Sequence, residues 1–372
     1  MQAISKASTP YYKQIDGLRF FAVLGIMMFH WLHIAILNSY SLIVSNIAID
    51  LFFVISGFLI TGILLMLRRQ VEEEHITTSQ ALKNFYVRRS LRIFPIYYLF
   101  IMICAVINLG NVRHIYPWLL TYTTNFLMLF QKDLGPYSHL WSLAIEEQFY
   151  LIFPLFLLWI PRQYIKPILL SCLILAPISR WFTLCYFSQP LSAYLIPFCC
   201  TDALCIGALL AHVIYHEKNS NSLLHKKYLL ALGLFIFFIC CYRFAFISKK
   251  DMAAMIFFRT SISICCAWIV AGAVQGNHHK LASKILENRA IVALGKLCYG
   301  LYLFHQIAPY ITAFLFRLLP LNNTSLRIIE IEKITLNFLI TVLLACLSWY
   351  LIEKPANNLK KYFTKSTNLS TN

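Results

Sequence analysis

Apolar residues in this chain come in long unbroken runs, at 20–37, 43–67, 94–109, 141–160, 167–187, 194–214, 228–247, 253–274, 291–316 and 334–352. A helix needs about 20 largely apolar residues to cross the hydrocarbon of a bilayer. The pattern predicts an all-α polytopic membrane protein of about ten transmembrane helices. The first run follows Lys6, Lys13 and Arg19, as the core of a signal peptide would. It is longer than a usual signal core, lacks a small-residue cleavage site after it and contains His30, so it reads as a retained helix.

Composition agrees, with 59% of the 372 residues hydrophobic and 13% charged, too apolar for soluble domains of this length. The net charge of +17 does not call for a nucleic-acid partner, because it follows topology. With the N-terminus in the cytoplasm, the cytoplasmic segments hold 21 of the 32 Lys and Arg. This is the positive-inside pattern, and it puts both termini in the cytoplasm. The twelve cysteines lie mostly inside the runs without Cys-x-x-Cys spacing, so they read as small hydrophobes, and no metal site is expected. Residues 1–355 read as one membrane domain and 356–372 as a short basic cytoplasmic tail with a frayed Ser/Thr/Asn-rich end. No additional periplasmic domain is expected. Two connections are long: 68–92, expected to form a surface helix leading into the third span, and 110–140, whose semi-apolar part Tyr116 to Phe130 is either re-entrant or interfacial.

Ionisable groups inside apolar runs are costly and usually face a cavity, which makes them the functional candidates. They are His30 and His33, Asp50, Glu146 and Glu147, Arg180, Arg243, Arg259 and His305. Arg19 and His30 share a helix face about 16 Å apart along the axis. A buried histidine bonded to nearby backbone is the plainer reading of His30, but membrane depth favours function. Asp50, Gly57 and Thr61 share a face of the second run, beside Ser56. Packing alone explains Gly57; it does not explain a carboxylate. Ser142, Glu146 and Tyr150 recur at i, i+4, and adjacent Glu146 and Glu147 suit acid–base work or the orientation of an imidazole. Arg88, Arg89 and Arg92 fall within five residues and suit phosphate binding as well as topology.

Together these motifs resemble acyltransferase family 3, integral-membrane O-acyltransferases typical of bacteria. The resemblance rests on six blocks in the family's order: Ile15-Asp16-Gly17-Leu18-Arg19 with His30, Asp50 through Thr61, and Phe85-Tyr86-Val87-Arg88-Arg89 through Pro95. Leu140-Trp141-Ser142 through Tyr150, Tyr299 through His305 and Ile352-Glu353-Lys354-Pro355 complete it. It implies about ten helices, an acyl-coenzyme A donor, usually acetyl-CoA, and a glycan acceptor such as an O-antigen. By the same resemblance, His30 matches the family's essential first-helix histidine and Arg19 the arginine of that motif. Arg88 and Arg89 match its cytoplasmic pair, and Glu146 and Glu147 its acidic pair. Cys298 and Phe304 depart from the usual serine and tryptophan around His305.

The expected function is thus O-acetyl transfer from cytoplasmic acetyl-CoA to a hydroxyl of an envelope glycan, foremost the lipopolysaccharide O-antigen, in the bacterial inner membrane. Peptidoglycan, exopolysaccharide or a small molecule are the other acceptors considered. His30, Asp50, Glu146 and Glu147 are the expected catalytic groups and Arg19, Arg88, Arg89 and Arg92 the donor-binding ones. Ser56, Thr61, Ser142, Tyr302 and His305 are further candidates. His30 would either deprotonate the acceptor or carry the acyl group as an acyl-imidazole. The rival from another class is a proton-coupled secondary transporter, which predicts repeated halves that the sequence does not show. Nothing in the sequence fixes the oligomeric state.

Overall fold

A computed structural model describes residues 10–32, 38–131, 133–187, 190–216, 227–248, 250–318 and 326–363. Lys6, His33 and the stub 364–372 lie outside them. The described residues fold into helices without a strand. We number the principal ones α1 Lys13–Trp31, α2 Asn38–Glu72, α3 Thr78–Ile107, α4 Leu140–Trp159, α5 Arg162–Phe187 and α6 Thr201–His216. They continue as α7 Lys227–Phe246, α8 Met252–Gln275, α9 Arg289–Lys296, α10 Cys298–Phe304, α11 Ala308–Leu318 and α12 Leu326–Ser348.

Among the described residues, eight helices are long and apolar enough to cross a membrane. The other two expected spans are present in altered form. The first is α1, whose 19 residues include Lys13, Asp16 and Arg19. The ninth, 291–316, is divided into α9, α10 and α11. Its second break has a local cause. The carbonyl of His305 would be served in a helix by the N–H of residue 309, but that residue is proline and has none. Trp31 Nε1, at the end of α1, donates to that carbonyl instead, at 3.0 Å.

The basic stretch 68–92 is not a separate surface helix. It is divided between the end of α2 and the start of α3, joined by a turn with Glu74 at φ 58°. Thr77 starts α3 through a capping box with Gln80: its hydroxyl accepts from Gln80 N, and its own N–H donates to Gln80 Oε1. At 30 residues, about 45 Å, α3 exceeds the hydrocarbon thickness, so its arginine-bearing turns extend from the apolar part. The stretch 110–140 folds into short helices, Tyr116–Leu120 and Thr124–Phe130, packed on α3 and α4. Tyr122 stacks on Tyr97 at 4.3 Å, and Gln148 Nε2 donates to the Tyr122 carbonyl.

Where helices must touch closely, glycine removes the obstacle. A methyl group on Gly57 of α2 would overlap the Leu204 carbonyl of α6, and one on Gly207 of α6 would overlap the Val54 carbonyl of α2. The same relation joins Gly17 of α1 to Leu286 and Gly295 of α9 to Asp16, which fixes the turn of α1 that carries Arg19. At the other edge of the bundle, Arg243 grips both oxygens of Asp251 at 2.8 Å, while Asp251 caps α8 through Ala254 N. The Arg243 bonds hold the Asp251 carboxyl below its ordinary range. Gly233 and Cys240 are the buried residues of α7; Phe235, Phe238 and Phe246 face outward, while Phe237 and Phe244 pack on Phe258 of α8.

Replacing Gly207 by leucine should destabilise the bundle by about 1–3 kcal/mol or more, because backbone rather than a flexible side chain must yield. The fall in thermal midpoint of the detergent-purified protein measures it, and an unchanged midpoint would refute the close crossing.

Candidate active site

Five helices open onto one cleft. It is lined by Arg19 of α1, Ser56 of α2, Arg89 and Arg92 of α3, Ser142, Glu146 and Tyr150 of α4, and Cys298 and Tyr302 of α10. The i, i+4 face of α4 works as its sequence spacing suggests. Ser56 Oγ donates to Glu146 Oε1 at 2.5 Å, Tyr150 OH donates to Ser56 Oγ at 2.9 Å, and the Arg89 guanidinium lies 3.9 Å over the Tyr150 ring. Arg89 Nε is buried without a hydrogen-bond partner, and among the described residues Arg92 makes no hydrogen bond or ion pair. Arg19 is bound 3.4 Å from Asp16, whose second oxygen accepts from Tyr11 OH at 2.8 Å. The cleft therefore holds more guanidinium than carboxylate.

A second layer begins at the inner wall. Tyr302 OH is 2.5 Å from the His139 carbonyl and 2.6 Å from Ser142 Oγ. The phenol has one proton and a carbonyl can only accept, so Ser142 donates to Tyr302, which donates to His139 O. His305 obeys the same logic: its Nδ1 lies 2.6 Å from the Tyr302 carbonyl and must be the donor. In the neutral ring Nε2 then carries the lone pair, and this atom is buried without a partner. The rings of His30 and His139 stand 5.2 Å and 4.7 Å from that of His305. His139 is buried, with its ring nitrogens near the Leu303 and Pro136 carbonyls but closing no well-formed hydrogen bond.

Sequence reasoning did not single out His139, because it lies just before an apolar run rather than within one. Its position three residues before Ser142 is the signal that could have found it.

The other candidates separate. Asp50, one of the three carboxylates considered as partners for the histidine, is fully buried and its carboxylate is bound by Arg259 Nη2 and Nε. A second buried pair, Arg180–Asp202 at 2.8 Å, lies alongside. Arg180 also donates to the carbonyls of Cys199 and Ile256, and Thr260 donates to Asp202 at 2.7 Å. Arg259 Nη1 reaches Cys200 Sγ. Arg180 and Arg259 are thus bound into the packing of α2, α5, α6 and α8. Thr61 is buried outside the cleft lining, and Arg88 is exposed and likewise not part of it. Glu147 turns away from the cleft; its Oε1 is buried without a hydrogen-bond partner, and Arg89 acts electrostatically on both glutamates.

A helical membrane bundle with an arginine-lined cleft leading to buried imidazoles fits a membrane acyltransferase. The model of the acyltransferase domain family matches residues 12–353, and the chain belongs to that family. The peptidoglycan O-acetyltransferase OatA of Listeria monocytogenes is 30% identical over 98% of this chain and 59% of its own length. The O-acetyltransferase OatA of Staphylococcus aureus is 29% identical over 94% of this chain and 57% of its own. The chain thus spans about half to three-fifths of the length of the curated relatives it matches. No solved structure matches it significantly.

Removing one member of a buried ion pair leaves an uncompensated charge, a cost of about 3–5 kcal/mol. Asp50→Leu and Arg259→Met should each lower the thermal midpoint strongly, while the double variant recovers much of the loss. Additive losses would show that the two side chains do not depend on one another.

Proposed function

We propose that this protein transfers an acetyl group from acetyl-CoA, bound from the cytoplasmic side, to a hydroxyl of a cell-envelope glycan, as a multi-pass enzyme of the bacterial cytoplasmic membrane. The observation that carries the reading is the adjacency of an arginine-lined cleft to a cluster of imidazoles behind its wall. The cleft carries the guanidinium groups of Arg19, Arg89 and Arg92, which suit the phosphates of the donor, and its inner wall of Ser142 and Tyr302 adjoins His305, His139 and His30. Arg19, Arg89 and Arg92 hold the donor phosphates. The thioester arm runs along the face of α1 from Arg19 towards His30.

At that end His30 accepts the proton of the acceptor hydroxyl as its oxygen attacks the thioester carbonyl. The new C–O bond forms, the C–S bond breaks, and the imidazolium returns the proton to the departing thiolate. In the covalent variant the acyl group rests on His30 before the acceptor arrives. Rapid-quench trapping of an acylated His30 peptide with donor alone separates the two. Of the carboxylates considered as partners for the histidine, Glu146 is the one that lines the cleft.

The O-antigen is the acceptor implied by family resemblance. Peptidoglycan is the second reading, favoured by the acceptor named for the Listeria monocytogenes relative.

Mass spectrometry of both glycans in deletion and complemented strains tests the proposal. The wild-type gene should restore one acetyl group on one of them, and His30→Ala should reduce it by about 10²–10⁴-fold with the protein still in the membrane. Restoration by His30→Ala would overturn the catalytic assignment, and an unchanged glycan in all strains would overturn the acceptor class. In purified enzyme, Arg92→Ala should raise KM for acetyl-CoA more than it lowers kcat. Equal kcat loss with unchanged KM would remove Arg92 from the donor site.

A further inference from the structure

The cleft is sorted along its length. Tyr12, at the start of α1, lies against Phe58 of α2 with ring centroids 5.8 Å apart, and a methyl group on Gly25 would come within 3.3 Å of the Ala48 methyl. The two helices therefore run antiparallel, and the stretch of α1 from Arg19 to Ile26 lies beside the stretch of α2 from Ser56 back to Ile49, each about 10 Å long. Beside Ser56 stands Tyr150, with Arg89 over its ring. At the opposite end the lining is Ile26, Ile49, Phe52, Phe53 and Tyr302. Ile26 precedes His30 by one turn on the same face of α1, so the apolar end is the one that adjoins the imidazole.

Most of that end is fixed by packing. Ile26 and Phe53 are buried, and the Phe53 ring is backed at 5.6 Å by the Arg259 guanidinium, itself bound to Asp50. Tyr302 is pinned through its hydroxyl, which accepts from Ser142 and donates to the His139 carbonyl. Its proton is committed, and what it offers the cleft is its ring. Ile49 and Phe52 are half-buried, and of the two it is Phe52 that reaches α10, its ring meeting that of Tyr302 at 6.4 Å with 66° between the planes.

We propose that this end of the cleft is the acyl pocket and that Phe52 is its specificity-determining residue, closing it against Tyr302 so that it takes a short unbranched acyl chain such as acetyl and turns longer ones away. The inference rests on the donor reading above and adds the place of the acyl group and the limit on its length. A wall of carbon offers a hydrocarbon chain no hydrogen bonds, so length is read by the space that remains, and each methylene too many must displace a ring already packed on another. Phe52 stands a full turn of α2 from Ser56, away from the guanidinium end, so its size acts on the choice between acyl groups.

Full-length protein in nanodiscs, titrated with coenzyme A, acetyl-CoA and butyryl-CoA, tests this, with coenzyme A as the reference that carries no acyl group. The wild-type protein should bind butyryl-CoA at least about tenfold more weakly than acetyl-CoA, the scale of discrimination that a methylene provides in an apolar pocket. Phe52→Ala should remove most of that ratio. Phe52→Leu, which keeps an apolar side chain at the contact, should shift it in the same direction by less, and it decides the matter by itself if the alanine variant does not fold. Equal binding of the two thioesters by wild type would overturn the inference while the donor reading stands. So would a wild-type ratio retained in the variants with all three ligands weakened alike, which is what a Phe52 that only held helices together would give. If the wild-type protein binds no coenzyme A, both fall.

Discussion

A charged side chain removed from water must meet an opposite charge or a cavity. The polar architecture of this bundle can be read as the ways it satisfies that demand. Asp50 with Arg259 and Asp202 with Arg180 satisfy it inside the packing, with hydroxyl, thiol and carbonyl groups taking the remaining donors. Glu146 satisfies it at a wall, through Ser56 and under the influence of Arg89. Arg92 lines the cleft and, among the described residues, makes no hydrogen bond or ion pair. This unequal settlement separates the side of the bundle where charges are paired within the packing from the side where guanidinium groups line a cleft.

The glycine contacts make the settlement geometrically possible. With α2 and α6 drawn into backbone contact at Gly57 and Gly207, the helices that carry Asp50 and Asp202 lie close enough for the two ion pairs to sit side by side. With α1 pressed on 286–295 through Gly17 and Gly295, Arg19 is set into the cleft rather than left at the membrane edge.

Much of this was legible in the sequence, and the illegible parts have physical reasons. Long apolar runs fix helix number and type because lipid leaves few alternatives for a buried backbone. Arg19, Ser56, Ser142, Glu146 and Tyr150 were visible because polarity at regular spacing stands out in an apolar run, and the structure brings them to one cleft. The Asp50–Arg259 pairing was not visible, since it joins residues 209 apart and only tertiary packing chooses partners at that range. His139 was hidden at the edge of a run. The division of 291–316 could have been suspected from Pro309, but the tryptophan that answers it lies on another helix.

That tryptophan has a consequence for how the inner layer is held. Trp31 follows His30 directly in the chain and binds the carbonyl of His305. One imidazole is therefore tethered to Trp31 by a peptide bond and the other by a single hydrogen bond. The spacing of the two rings is thereby coupled to how α1 is seated against the end of α10: a shift of α1 along its axis would change the separation of the imidazoles and strain the Trp31 bond together.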